Sequence, residues 1–485
     1  MDALTRLAHR VVMGAFAGPD LPDWARSQLD AGLGSMCLFG SNVSSPEQVS
    51  ALTAAMRSVA PDLLVATDEE GGDVTRLHMR EGSPHPGNAA LGVADDESLT
   101  AAVAASIGAE LVEVGIDLDL APTVDVNSNP DNPVIGVRSF GAEPARVARH
   151  TRAWVTGLQS AGVAACVKHF PGHGDTAVDS HLGLPTVDAP LEVLRGRELV
   201  PFSAAVEAGT VAVMTSHVLL PAIDPDLPAT LSRPCVDLLR HEVGFDGLLV
   251  SDALDMTGAS GGRGEPAAAV MALAAGVDLL CLGADKEAGL VDAVVAAIVE
   301  AVRSAALAEE RLSEAADRVQ STGRLVQSWR AGGALPSYDG RADRDVAARA
   351  LRVTGTLPSL HRALVLRFRT GQNVAVGQVP WGLPEDGELM ADGRQVDVVE
   401  PATVDELLAL ADGRPVVVLV REPHRHPWVA SLLGMLAAAR PDLVTVEMGW
   451  PGGQELPGVA TVRTYGASRA NGAALDALLA NGTRR

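Results

Sequence analysis

Lysine is almost missing from this chain. Of its 38 lysine and arginine residues, only Lys168 and Lys286 are lysines. Positive charge as a whole is short, leaving a formal net charge of −23. That balance argues against sequence-independent nucleic-acid binding and against anionic membrane surfaces. Long apolar runs are missing too. Arg6, His9 and Arg10 break up the first 18 residues, and no later run is long enough to span a bilayer, so a cytoplasmic protein is the default. Cysteine is scarce: Cys37, Cys166, Cys235 and Cys281 lie far apart, three of them in or beside apolar strand-like runs. They read as reduced core thiols, not as a disulfide framework or a metal site. Neither internal repeats nor low-complexity tracts stand out, alanine richness aside. With 47% hydrophobic and 20% charged residues the chain is not broadly disordered, and its 485 residues allow two or three domains.

What is present is an alternation of short apolar runs with longer amphipathic, alanine-rich segments, the pattern of parallel strands joined by helices. Eight candidate strands cover residues 11–16, 35–39, 63–67, 117–121, 163–167, 211–215, 248–251 and 277–282. Helical candidates lie near 24–32, 46–59, 98–114, 144–161, 191–208, 234–242, 266–275, 287–307 and 308–328. The expectation is an α/β protein whose residues 1–330 form a (β/α)8 TIM-type barrel, with its chemistry at the C-terminal ends of the strands. A Gly/Pro-containing linker over 331–344 follows, then a smaller α/β sandwich-like domain over 345–485. Four strands are expected there, at 363–368, 415–420, 443–447 and 459–462, with no clustered catalytic candidates.

The segments after the barrel strands are chemically rich. Asp68-Glu69-Glu70-Gly71-Gly72 and Arg76 follow the third strand, Asp125 and Arg138-Ser139-Phe140-Gly141 the fourth, and Ser216-His217 the sixth. The seventh is followed by Asp252-Ala253-Leu254-Asp255-Met256. After the fifth comes Lys168-His169-Phe170-Pro171-Gly172-His173-Gly174-Asp175, continuing to Asp179-Ser180-His181 and Pro185. Each group has two readings. Asp252 is either an ionised carboxylate projecting into the barrel mouth or a helix N-cap. His181, with Asp179 two residues before it, is either an imidazole acid/base held by a carboxylate or a surface loop histidine. Asp68, Arg76, Arg138, Lys168 and His169 either bind a polar ligand or form a rim of ion pairs, and Glu69, Glu70, Asp125 and His217 either touch that ligand or pair with rim arginines. A metal reading of His169, His173 and His181 fails on spacing, because Pro171 and Gly172 break any helix between the first two. His173 and Asp175 read as loop-shaping groups, and no metal or cofactor is expected.

Taken together and in this order, these motifs resemble glycoside hydrolase family 3, specifically its β-N-acetylglucosaminidases of the NagZ type. The resemblance covers the first domain and is weak over the second. It implies a retaining exo-acting glycosidase that releases terminal non-reducing GlcNAc, with Asp252 as nucleophile and His181 as acid/base paired with Asp179. It further implies sugar binding by Asp68, Arg76, Arg138, Lys168 and His169, and muropeptide-type cell-wall fragments as the substrate class. The expected partner is thus a small glycoside, with no nucleic acid and no membrane; no sequence feature fixes the oligomeric state. A β-N-acetylglucosaminide phosphorylase and a β-glucosidase or β-xylosidase of the same family are the alternatives.

Overall fold

The computed structural model describes residues 2–178, 183–331, 340–371, 375–453 and 455–482. By contact the chain divides into two compact units. The first comprises Met1–Glu70, Thr100–Pro133 and Ala142–Asp339; the second comprises Gly71–Leu99, Val134–Gly141 and Gly340–Arg485. Of the expected linker over 331–344, residues 332–339 lie outside the described residues, and the helix Arg341–Ala350 begins within its last part.

The first unit holds eight parallel strands: β1 (Val12–Gly14), β2 (Ser35–Leu38), β3 (Leu64–Thr67), β4 (Leu118–Asp119), β5 (Ala164–Phe170), β6 (Ala212–Thr215), β7 (Leu248–Val250) and β8 (Leu280–Cys281). They pair in chain order, β1 also pairs with β8, and a Val250–Leu279 bridge joins β7 to the approach of β8. The expected barrel is therefore present. Alternate residues point inward, where Met13, Cys37, Ala66, Leu118, Cys166, Met214, Val250 and Cys281 share one buried core. All four cysteines are buried and unpaired with one another. Two helical expectations need correction. The segment at 191–208 is two helices, Leu191–Arg197 and Leu199–Glu207, because Pro201 has no N–H to give the Arg197 carbonyl. The one near 234–242 is a short α-helix, Arg233–Asp237, running into a π-turn over Leu238–Val243.

The N-terminal ends of the strands carry two buried carboxylates used alike. Asp117 accepts the Val65 amide at 2.9 Å and pairs with Arg57 at 2.5 Å and Arg330 at 2.9 Å. Asp278 accepts the Leu249 amide at 3.0 Å and pairs with Arg240 at 2.7 Å, with Arg318 at 3.2 Å and with Arg311. Each clips the strand before it, and each takes arginines from the helix Glu309–Ala331.

The second unit has a six-stranded sheet: β9 (Arg352–Gly355), β10 (Leu364–Phe368), β11 (Arg394–Val398), β12 (Val416–Val420), β13 (Val444–Glu447) and β14 (Ala460–Arg463). The order is β11-β10-β12-β13-β14-β9, parallel except for β9 against β14. Alternate residues of β10 and β12 enter two separate cores, Val365 and Val417 on one face, Leu364 and Val416 on the other, so the sheet is covered on both sides. Strands β9 and β11 were not expected from the sequence. Both are sheet edges with little burial, and their apolar residues, Val353 in β9 and Val396 and Val398 in β11, are too few to mark a strand.

No described helix is long and apolar enough to cross a membrane. Two stability predictions follow from buried carboxyls. Asp278→Asn leaves three arginines short of their counter-charge and should cost about 3 kcal/mol in urea unfolding; a loss within error of zero would contradict the clip. Glu447, pushed up to about 8 by burial that outweighs the lowering effect of two backbone amides, is the second case. Its raised value means that the stability it contributes is whole below the unfolded carboxyl value of 4.5 and is lost as pH rises through about 8. The Tm advantage of Glu447→Gln over the parent should thus grow between about pH 5 and about pH 9; a constant difference would contradict it.

Candidate active site

The inward register that buries Ala66, Cys166 and Val250 puts Asp68, Lys168 and Asp252 two residues further on, at the C-terminal mouth of the barrel. The apolar interior thus ends in a charged layer. Lys168 is buried and satisfied by two carboxylates, Asp68 Oδ1 at 2.6 Å and Glu70 Oε1 at 2.8 Å. Beside them Asp119, wholly buried, accepts the Glu69 amide at 2.9 Å, and its desolvation holds the carboxyl well above the usual range.

In a regular strand Lys168 and His169 point to opposite faces. Here the register of β5 against β6 shifts between Val167 and Phe170, a bulge that re-aims the strand end. His169 Nδ1 lies 2.7 Å from Asp125 Oδ2, while Asp125 Oδ1 accepts the His173 amide at 2.7 Å. Burial opposes ionisation of Asp125, but the His169 imidazole and its hydrogen bond, with His173, hold the carboxyl below its usual range.

The turn after β5 is packed from both sides. A Cβ on Gly174 would sit 1.8 Å from the Val126 carbonyl oxygen, and Gly172, at φ +138°, faces Glu198 Oε2 at 2.5 Å from its own Cβ position. Neither place admits a side chain. His173 Nδ1 donates to Thr176 Oγ1 at 2.8 Å, since that hydroxyl is itself given to the His173 carbonyl at 3.0 Å. Burial, then the neighbouring His169, pushes the His173 imidazole down to about 4, so it is neutral at pH 7. Asp175 pairs with Arg197 at 2.7 Å, and Arg197 pairs with Glu198 at 2.6 Å. Burial pushes Glu198 up to about 7. His173 and Asp175 therefore shape the loop.

Asp252 is half-buried, and its Oδ1 accepts the Ala253 amide at 2.8 Å. Its charge acts on both His173 and Cys281, and that of Asp68 also reaches Cys281. Asp252 caps no helix: the helix that follows, Thr257–Ser260, has Met256 at its N-cap. The Ala253 carbonyl accepts His217 Nε2 at 2.9 Å, and the Leu254 amide donates to Cys281 O at 2.9 Å.

Of the residues singled out from sequence, Asp68, Lys168, His169 and Asp252 come together at this mouth. Glu70 and Asp125 pair with Lys168 and His169, where substrate or a rim arginine had been the expected partner. Arg76 and Arg138 belong to the second unit. There Arg76 Nη2 donates to Ala375 O at 3.0 Å and Arg138 Nη1 to Val134 O at 3.2 Å. Asp179 and His181 lie outside the described residues. Sequence reading missed Asp119 and Glu198. The alternating Asp117-Leu118-Asp119 run was a usable signal for the first; Glu198 had none beyond its place beside Arg197.

Asp125→Asn keeps the shape but removes the charge that accepts His169 and His173. A loss of about 2 kcal/mol in urea unfolding is expected, and no loss would mean that Asp125 does not hold the turn.

The family model for the glycosyl hydrolase family 3 N terminal domain matches residues 24–322. A beta-hexosaminidase of Methylococcus capsulatus is 42% identical over 275 residues, which are 56% of this chain and 80% of that protein. Beta-hexosaminidase A of Pseudoalteromonas piscicida is 37% identical over 313 residues, covering 59% of this chain and 52% of that longer protein, so the chain spans about half its length. Among solved structures, a glycoside hydrolase family 3 beta-N-acetylglucosaminidase from Paenibacillus sp. str. FPU-7 superposes with a TM-score of 0.89 at 33% identity, covering 99% of this chain and 97% of that one.

Proposed function

The chain belongs to glycosyl hydrolase family 3, and on that premise we propose that it is a retaining exo-β-N-acetylglucosaminidase releasing terminal non-reducing GlcNAc. The observation that carries this reading is the position of Asp252: a half-buried carboxylate at the next inward position beyond Val250, at the same mouth as the Asp68–Lys168 pair. The choice of sugar rests on the relatives, which are named for hexosaminidase and N-acetylglucosaminidase activity.

In this mechanism an Asp252 oxygen attacks the anomeric carbon, the bond to the leaving oxygen breaks, and His181 donates the proton that oxygen needs. His181 then takes a proton from water as that water attacks the glycosyl ester, which restores the Asp252 carboxylate. Asp179 supports the cationic imidazole before the first step and again after the second, and fixes its tautomer while it is neutral between them. Asp68, Lys168 and His169, with Arg76 and Arg138, bind sugar hydroxyls. The buried Lys168 cation suits that task, since its partners fix it before substrate arrives. No metal enters either step. A cytoplasmic enzyme acting on cell-wall-derived muropeptide fragments, with the barrel over 1–330 and a second domain from 345, completes the proposal.

The deciding experiment is a panel of aryl β-glycosides of GlcNAc, GalNAc, glucose and xylose, assayed with and without phosphate. GlcNAc is the expected preference and free GlcNAc the expected product; GlcNAc 1-phosphate, formed only with phosphate, would replace the hydrolase by a phosphorylase. Asp252→Ala should lower kcat on the order of 10^4-fold with the fold intact by circular dichroism, and undiminished turnover would remove the nucleophile.

A further inference from the structure

Lys286 is the second of the chain's two lysines, and the proposed reaction does not use it. It follows β8, and its Nζ lies 2.6 Å from Asp255 Oδ2. The Asp255 carboxylate is pressed against Gly283: a Cβ there would fall 2.4 and 2.5 Å from its two oxygens. Among the described residues, Lys286 is the cation paired with this carboxylate. Asp255 is thus held from the β8 side by backbone and ammonium together.

Three residues earlier in the same turn is Asp252. The turn is tied at successive residues, Ala253 O to His217, Leu254 N–H to Cys281 O, and Asp255 to Lys286. Asp252 and Asp255 both act on the Cys281 thiol, so the two carboxylates approach the same strand end.

We propose that Lys286 is a positioning residue for Asp252: by binding Asp255 against Gly283 it fixes the turn that presents the Asp252 carboxylate and cancels the second negative charge beside it. This rests on the reading of Asp252 as the nucleophile. Without the ammonium, the Asp255 charge favours the protonated, non-nucleophilic form of Asp252, and the turn loses its side-chain tie to the segment after β8 while the Leu254–Cys281 backbone bond stays. Among the described residues, the Asp252 charge acts on His173 after β5 and on the Cys281 thiol of β8, Asp68 of the Asp68–Lys168 pair acts on that same thiol, and His217 after β6 binds the turn at Ala253 O. None of these residues is replaced in a Lys286 variant, and comparison with Asp255→Asn assigns a shift in the acidic limb of the pH profile to the Asp255 charge.

The test uses the full chain and an aryl β-GlcNAc with a good leaving group, for which protonation by His181 matters little. Lys286→Met should lower kcat on the order of 10-fold while KM stays within about 2-fold, and the acidic limb of kcat/KM should move up by ~0.5 pH unit. Adding Asp255→Asn to Lys286→Met should return that limb to its original position, and Lys286→Arg should leave it there. If Lys286→Met does not fold, Asp255→Asn alone decides, with the limb expected to move down. An unmoved limb in Lys286→Met, or in Asp255→Asn where that variant decides, or a kcat loss matched only by a lower Tm, overturns the proposal while the nucleophile stands on the Asp252→Ala control. Activity surviving in that control overturns both.

Discussion

A buried ammonium cannot exist alone, and the site is arranged around that fact. Lys168 stands one inward position above the apolar interior of the barrel, and taking it out of water is tolerable because Asp68 and Glu70 reach it together. The pairing fixes the end of β5 against the loop after β3. The same loop is braced again where Asp119 accepts the Glu69 amide. One residue beyond Lys168, Asp125 does for His169 what Asp68 does for the lysine, and gathers the His173 amide as well. The strand ends are therefore held by charge before any substrate arrives, as a site that stabilises developing charge requires.

Much of this was legible in the chain. Parallel strands buried on both faces read as short apolar runs, and all eight barrel strands were found from the sequence, the fourth through the alternating run at 117–121. The period of two then carries Ala66 to Asp68, Cys166 to Lys168 and Val250 to Asp252 without coordinates. Illegible were features set by tertiary neighbours. The polar edge strands β9 and β11 take their conformation from β14 and β10. The bulge that re-aims His169 has no local mark. Glu198 is buried because Gly172 leaves room for it, a relation across 26 residues of sequence that no pattern announces.

The second unit obeys the same logic with a different outcome. Its β10, β12, β13 and β14 are parallel, and Glu447 ends β13 as a buried carboxyl that accepts two backbone amides. For Glu447 the two amides and the Arg421 charge do not offset burial and the carboxyl is pushed up to about 8, whereas the His169 imidazole bound to Asp125 holds that carboxyl below its usual range. The partner decides the charge state, since both are buried alike.

The helix Glu309–Ala331 reaches Asp278 under β8 through Arg311 and Arg318, and Asp117 under β4 through Arg330. In a ring of eight, β4 and β8 are diametric, and the 19 residues between Arg311 and Arg330 rise about 28 Å, enough to bridge the floor. During synthesis on a ribosome this girder emerges only after every strand it ties. A nascent chain that has delivered β8 still lacks three of the guanidinium groups its two floor carboxylates use, so the ring is secured from below only once residue 331 has left the exit tunnel.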